Sequence, residues 1–166
     1  MAPSSGTELK EMLYSAFLYS CGPIAIRCAR DVSSVSFSET VQPVPYGKGN
    51  LVRSGEDLLI LTAGAVTTAS VEAAEKLYWQ GIKTAVINSR FIKPLDEELI
   101  AKWLRNCSYL LTVEENVLAG GFGSSVLELC EKLAIPVTAK RLGINDAFVA
   151  HGTRAEVLKC HGLDSE

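Results

Sequence analysis

The chain has 166 residues, 48% hydrophobic and 21% charged, with a formal net charge of −3 and a pI near 5.5. That length holds one full domain and a fragment of another around an ordinary soluble core. The slight negative charge provides no basic field, which excludes nucleic acid or an anionic membrane as the main partner.

There is no run of 18 apolar residues and no signal-peptide pattern after Met1. Cys21, Cys28, Cys107, Cys130 and Cys160 are scattered with no C-x-x-C, so reduced thiols and a cytoplasmic location are expected.

Residues 7–19 place Leu9, Met12, Leu13, Ala16 and Phe17 on one helical face, with Thr7 as the expected N-cap. Gly22 and Pro23 stop this helix, and Ile24 to Ala29 reads as a strand. A helix and one strand cannot bury their own apolar faces, so the segment must pack on something beyond itself. From Asp31 to Asn50 the periodicity is lost among Ser, Pro and Gly, as in a surface linker, and a short edge strand is expected near Leu51 to Arg53.

Leu58 to Gly64 is a continuous apolar run of the kind found in strands buried on both faces. Thr67 or Thr68 is the expected cap of the next helix, with Val71, Ala74, Leu77 and Tyr78 sharing a face and Gly81 ending it. Thr84 to Ser89 is a second strand. After Pro94, a helix starting near Asp96 carries Ile100, Trp103 and Leu104 on its stripe.

Tyr109 to Val113 is a third strand, Ser124 to Leu133 a helix and Pro136 to Gly143 a further strand; Thr153 and Glu156 form a capping box for a last helix through Cys160. This alternation argues for an α/β domain of three layers, α/β/α, around a mostly parallel (mixed) sheet.

The stretch TVEENVLAGGFGSSV, Thr112 to Val126, joins two carboxylates to a glycine turn at a strand's C-terminal end, where open α/β sheets place their ligands. Adjacent Glu114 and Glu115 point to opposite sides of a strand, so one is expected buried and the other solvated rather than both flanking a substrate. Gly120, Gly121 and Gly123 lack both the dinucleotide-binding spacing and a G-K-[ST] ending, which leaves a closely packed turn. His151 and His161 have no Ser or Cys at nucleophile spacing. Arg27 and Arg30, three apart at the end of the expected first strand, suit either bidentate binding of a phosphate or carboxylate, or surface ion pairs.

On these residues the chain resembles the C-terminal part of the 1-deoxy-D-xylulose-5-phosphate synthases, thiamine-diphosphate enzymes of the transketolase superfamily. The resemblance runs along nearly the whole chain. MAPSSGTELKEMLY, GPIAIRCAR, RFIKPLDEELI, VEENVLAGGFGS and HGTRAEVL carry it, RFIKPLDEELI and VEENVLAGGFGS most specifically.

It implies that residues 1–31 are the tail of a pyrimidine-binding domain, 32–45 a linker and 46–166 a transketolase C-terminal domain. It also implies that thiamine diphosphate and Mg belong to domains upstream of Met1, with no cofactor, metal or catalytic residue in this chain.

The implied partners are the rest of the same enzyme and a second copy in a homodimer. Arg30 falls at the arginine of the family's R-Y-P-R-G motif that binds the phosphate of glyceraldehyde 3-phosphate. Here the motif reads R-C-A-R-D, which sets Asp31 beside Arg30 as a possible competing ion partner. The chain alone is expected to be inactive, with the GGFG loop docking the C-terminal domain on its neighbours. The alternatives are a stand-alone subunit of a split enzyme, or the C-terminal part of a transketolase or of a 2-oxoacid dehydrogenase β subunit.

Overall fold

A computed structural model describes residues 1–30 and 40–165. In chain order it contains α1 (Gly6–Leu18), β1 (Asn50–Arg53), β2 (Leu58–Ala63), α2 (Val66–Trp79), β3 (Thr84–Asn88), α3 (Glu97–Leu104), β4 (Tyr109–Val117), α4 (Phe122–Lys132), β5 (Thr138–Ile144) and α5 (Arg154–Cys160).

The five strands form one sheet in the order β1-β3-β2-β4-β5. β2, β3, β4 and β5 run parallel, and β1 pairs antiparallel with β3 at the edge. The expected mixed, mostly parallel sheet is present.

Side chains alternate across a strand, so β2 and β3 feed two cores. Leu59, Leu61, Ala85 and Ile87 pack with Ile100 and Leu104 of α3 and with Phe122, Val126 and Leu129 of α4. Ile60 and Val86 face the other way, toward Val66 and Ala74 of α2 and Leu158 of α5. These are the three layers.

Caps written in the local sequence form as expected at two helices. The Asp96 carboxylate accepts the Leu99 N–H at 3.2 Å to start α3. Thr153 and Glu156 close a reciprocal capping box on α5. At α2 the expectation fails: the helix starts at Val66 after Ala65 with no side-chain cap. Thr67 lies within the first turn and turns its hydroxyl back to the Gly64 carbonyl at 2.8 Å and to the Thr62 hydroxyl at 2.8 Å. Tyr78 is exposed rather than on the packed face, with the Arg53 guanidinium over its ring at 5.6 Å.

The N-terminal segment corrects several expectations. α1 is capped by Ser5, whose hydroxyl accepts the Glu8 N–H at 3.2 Å, and not by Thr7. Of its apolar stripe only Met12 is buried, against Val44 and Phe91, while Leu13 and Phe17 are exposed. Ile24 to Ala29 forms no strand. A strand needs a neighbour to complete its ladder, and here the Arg27 N–H finds only the Met1 carbonyl, at 2.9 Å. Within the expected linker, residues 31–39 lie outside the described residues, and with them Asp31. Val44, however, is buried, and Tyr46 stacks on Tyr19 at 4.8 Å. This part of the connection runs along the surface, as expected, with Val44 as its buried anchor.

Candidate functional site

The C-terminal ends of β2, β3 and β4 open on one side of the sheet, and the N-terminal segment lies across them. The Ala2 N–H donates to the Arg90 carbonyl just beyond β3 at 2.8 Å. Gly64, just beyond β2, has φ +93°, and a Cβ there would stand 3.4 Å from the Arg27 guanidinium. The crevice that open α/β sheets usually offer to ligands is covered here by the chain itself.

Two polar clusters fasten this segment. In the first, Glu8 of α1 is 6% exposed and accepts from the Ser4 N–H at 2.7 Å, the Ser4 hydroxyl at 2.8 Å, Asn88 Nδ2 at 2.9 Å and Arg90 Nε at 2.6 Å. Burial pushes the Glu8 carboxyl up, but the hydrogen bonds from Ser4, Asn88 and Arg90 together outweigh it and hold the carboxyl below its ordinary value. Arg90 is a non-glycine residue at φ 57°, a conformation that costs about 1 kcal/mol or more for a residue with a Cβ. In it the Arg90 backbone N–H meets Asn88 Oδ1 at 3.1 Å while the side chain reaches Glu8.

In the second cluster, Arg27 Nη1 donates to the Glu115 carbonyl at 3.1 Å, and the Glu115 carboxylate is ion-paired with Arg154. Glu114 is the last residue of β4 paired with β2, and the β4–β5 register shifts between Val113 and Val117. The Glu115 carbonyl therefore stands outside both ladders and takes a guanidinium N–H instead. Glu115, the carboxylate expected to be solvated, is instead held in an ion pair, because α5 returns Arg154 to the end of β4.

The two carboxylates do point apart. Glu114 is 1% exposed, and its oxygens accept the Phe122 and Gly123 N–H groups, each at 2.8 Å. This satisfies free donors at the start of α4 and places a negative charge at the positive end of the helix dipole. A Cβ on Gly121 would lie 2.4 Å from Glu114 Oε2 and 2.4 Å from the Val117 carbonyl; one on Gly123 would lie 2.5 Å from Thr112 Oγ1. Gly121 and Gly123 are thus required by contacts with neighbouring residues of the β4–α4 turn.

Arg30 is exposed at the end of the described N-terminal segment. His151 is exposed and His161 half-buried, and among the described residues neither side chain hydrogen-bonds to a Ser or Cys. Among the described residues no group of three or more His, Cys, Asp and Glu could hold a metal ion, and no helix is long and apolar enough to cross a membrane. The Glu8, Glu114 and Glu115 carboxylates are already taken up by hydrogen bonds or an ion pair within the chain, and this donor set does not fit a magnesium diphosphate. Nothing in the local sequence pairs Glu8 with Asn88 and Arg90, about 80 residues away. Glu8 and Arg90 do fall within the family-like stretches MAPSSGTELKEMLY and RFIKPLDEELI, but local pattern alone makes Glu8 look like a solvated residue beside the helical stripe.

The fold and this covered strand-end seam define the class: residues 47–166 match the family model of the transketolase C-terminal domain, and the chain belongs to that family. Within it, similar curated proteins include 1-deoxy-D-xylulose-5-phosphate synthases. That of Heliobacterium modesticaldum is 44% identical over 98% of this chain and 25% of its own length. That of Gloeobacter violaceus is 42% identical over 98% of this chain and 26% of its own. The chain thus spans about a quarter of the length of these relatives. Among solved structures, one described as a split gene transketolase, inactive beta4 tetramer, superposes with a TM-score of 0.89 at 29% identity, over 99% of this chain and 53% of that one.

Proposed function

We propose that this chain is the C-terminal portion of a 1-deoxy-D-xylulose-5-phosphate synthase, joining pyruvate to glyceraldehyde 3-phosphate with loss of carbon dioxide. The observation that carries this reading is identity above 40% to such synthases over 98% of the chain.

Thiamine diphosphate, with Mg, supplies the carbanion chemistry from the remaining domains. The protein's share is to bind, orient and exclude water. Residues 1–31 are assigned to the pyrimidine-binding domain, 32–45 to the linker and 46–166 to the C-terminal domain. Arg30 is assigned to the acceptor's phosphate, which its planar, permanently charged fork suits. The parent works as a cytoplasmic homodimer. The exposed Leu13 and Phe17 support further protein contacts over α1.

Mixing the 166-residue chain with pyruvate, glyceraldehyde 3-phosphate, thiamine diphosphate and Mg tests the assignment of the chemistry. No product is expected from the chain alone, and product is expected from the full-length protein. Turnover by the isolated chain would overturn it. A second reading, a stand-alone subunit of a split enzyme, is favoured by the split gene transketolase neighbour. It predicts that a separately expressed partner carrying the cofactor domain restores turnover to this chain.

A further inference from the structure

We propose that Glu115 and Arg154 are positioning residues for Arg30, acting through Arg27, and so set the enzyme's preference for a phosphorylated acceptor. The proposal rests on the reading of Arg30 as the phosphate contact.

The Arg27 guanidinium is fixed at its far end to the Glu115 carbonyl at 3.1 Å. Arg27 and Arg30 are three residues apart, a span of roughly 10 Å when extended, and among the described residues no sheet ladder holds that segment. Two backbone hydrogen bonds tie it to the N-terminus, Arg27 N–H to the Met1 carbonyl at 2.9 Å and the Met1 amine to the Ala25 carbonyl at 2.7 Å. The Arg27 guanidinium supplies its side-chain tie to the end of β4. The grip is itself braced. The Glu115 carboxylate pairs with Arg154, the first residue of α5 after Thr153, whose turn is locked by the Thr153–Glu156 capping box. Glu115 and Arg154 are only 12% and 28% exposed, so the pair is partly shielded from the solvent that weakens surface ion pairs. Two parts of the chain distant in sequence thus converge on one residue, Arg27 on the Glu115 carbonyl and Arg154 on its carboxylate.

Positioning makes a prediction that simple electrostatics does not. Glu115→Gln removes a negative charge from this end of the sheet, which by field alone would tighten binding of an anionic phosphate. Arg154→Gln removes a positive charge and by field alone would weaken it. If the pair acts by holding Arg27 in place, both substitutions weaken binding of the phosphorylated acceptor.

The test measures acceptor KM in the full-length synthase with glyceraldehyde 3-phosphate and, separately, with unphosphorylated glyceraldehyde. Both variants are expected to raise KM for the phosphorylated acceptor about tenfold, with little change for glyceraldehyde. Arg154→Lys should recover part of the loss, and the double variant should be no worse than either single one. A lower or unchanged phosphorylated-acceptor KM in Glu115→Gln, or parallel shifts for both acceptors, would overturn the proposal. Arg30→Ala separates the two layers. If it fails to raise the phosphorylated-acceptor KM, the reading of Arg30 falls and takes the proposal with it. If it raises that KM while the Glu115 and Arg154 variants do not, the positioning role alone falls.

Discussion

Glu114 and Gly123 are joined across the turn between β4 and α4: Glu114 Oε1 accepts the Gly123 N–H at 2.8 Å, and Oε2 accepts the Phe122 N–H at the same distance. Hydrogen bonds to a charged group are each worth about 1.5–3 kcal/mol, and leaving their buried donors unpaired adds to the loss. Glu114→Ala is therefore expected to lower unfolding free energy by about 3 kcal/mol or more, and Glu114→Gln by about half of that. Urea denaturation of the chain measures both, and a Glu114→Ala loss under about 0.5 kcal/mol would remove Glu114 as the organiser of this turn.

Neighbouring glycines in the same turn should respond in opposite order to what their backbones suggest. Gly120 has φ +67° with open space around its Cβ position, so Gly120→Ala costs about 1–2 kcal/mol of left-handed strain. Gly121 has φ −79°, which any residue adopts, but its Cβ would strike Glu114 and the Val117 carbonyl. Gly121→Ala should cost about 3 kcal/mol through forced repacking. Comparing the two denaturation midpoints decides whether contact or dihedral strain dominates.

Acid should loosen the N-terminal segment through Glu8. Its carboxyl titrates below the ordinary value in the folded chain, so the folded state binds fewer protons than the unfolded state in that range. The stability this contributes is fully present above the ordinary carboxylate pKa of about 4.3 and is lost as pH falls through the lower folded value. Glu8→Gln should therefore flatten the pH dependence of unfolding in the acid range and lower stability at neutral pH. An unchanged slope between about pH 5 and pH 3 would show that the cluster contributes nothing.

Thiol reactivity should divide the cysteines into two groups. Cys21, Cys28 and Cys160 are exposed, whereas Cys107 and Cys130 are buried, and burial pushes both buried thiols up. Only the thiolate reacts. An aromatic disulfide reagent at neutral pH should modify three thiols quickly and the remaining two only as the chain opens; five equal rates would contradict the core arrangement.

The outer face of α1 should be dispensable for folding of the chain and not for its associations. Phe17 is 87% exposed, so Phe17→Ser should change unfolding free energy by less than about 0.5 kcal/mol. Sedimentation should show reduced self-association of the chain, because a contiguous exposed apolar face is sticky. A large stability loss would mean that Phe17 packs within the chain.

By itself the sequence determined what depends on near neighbours. The runs LLILTA and TAVIN announce buried strands because strands covered on both faces carry no polar alternation. Asp96 and the Thr153–Glu156 pair announce helix starts because capping is completed within one turn. The divergence of Glu114 and Glu115 follows from the pleat alone.

Tertiary structure decided what depends on a distant partner. Ile24 to Ala29 has strand-like composition but no ladder to join. The helical stripe of α1 buries Met12 and leaves Phe17 out, since Val44 and Phe91 cover only part of it. Glu8 looks like a solvated helix residue until β3 brings Asn88 and Arg90 to it across about 80 residues of sequence. Glu115 likewise acquires Arg27 and Arg154 only through the fold. The strand-end turn was legible as a place of importance, but its carboxylates became a helix cap and a brace for the N-terminal segment only when long-range contacts supplied their partners.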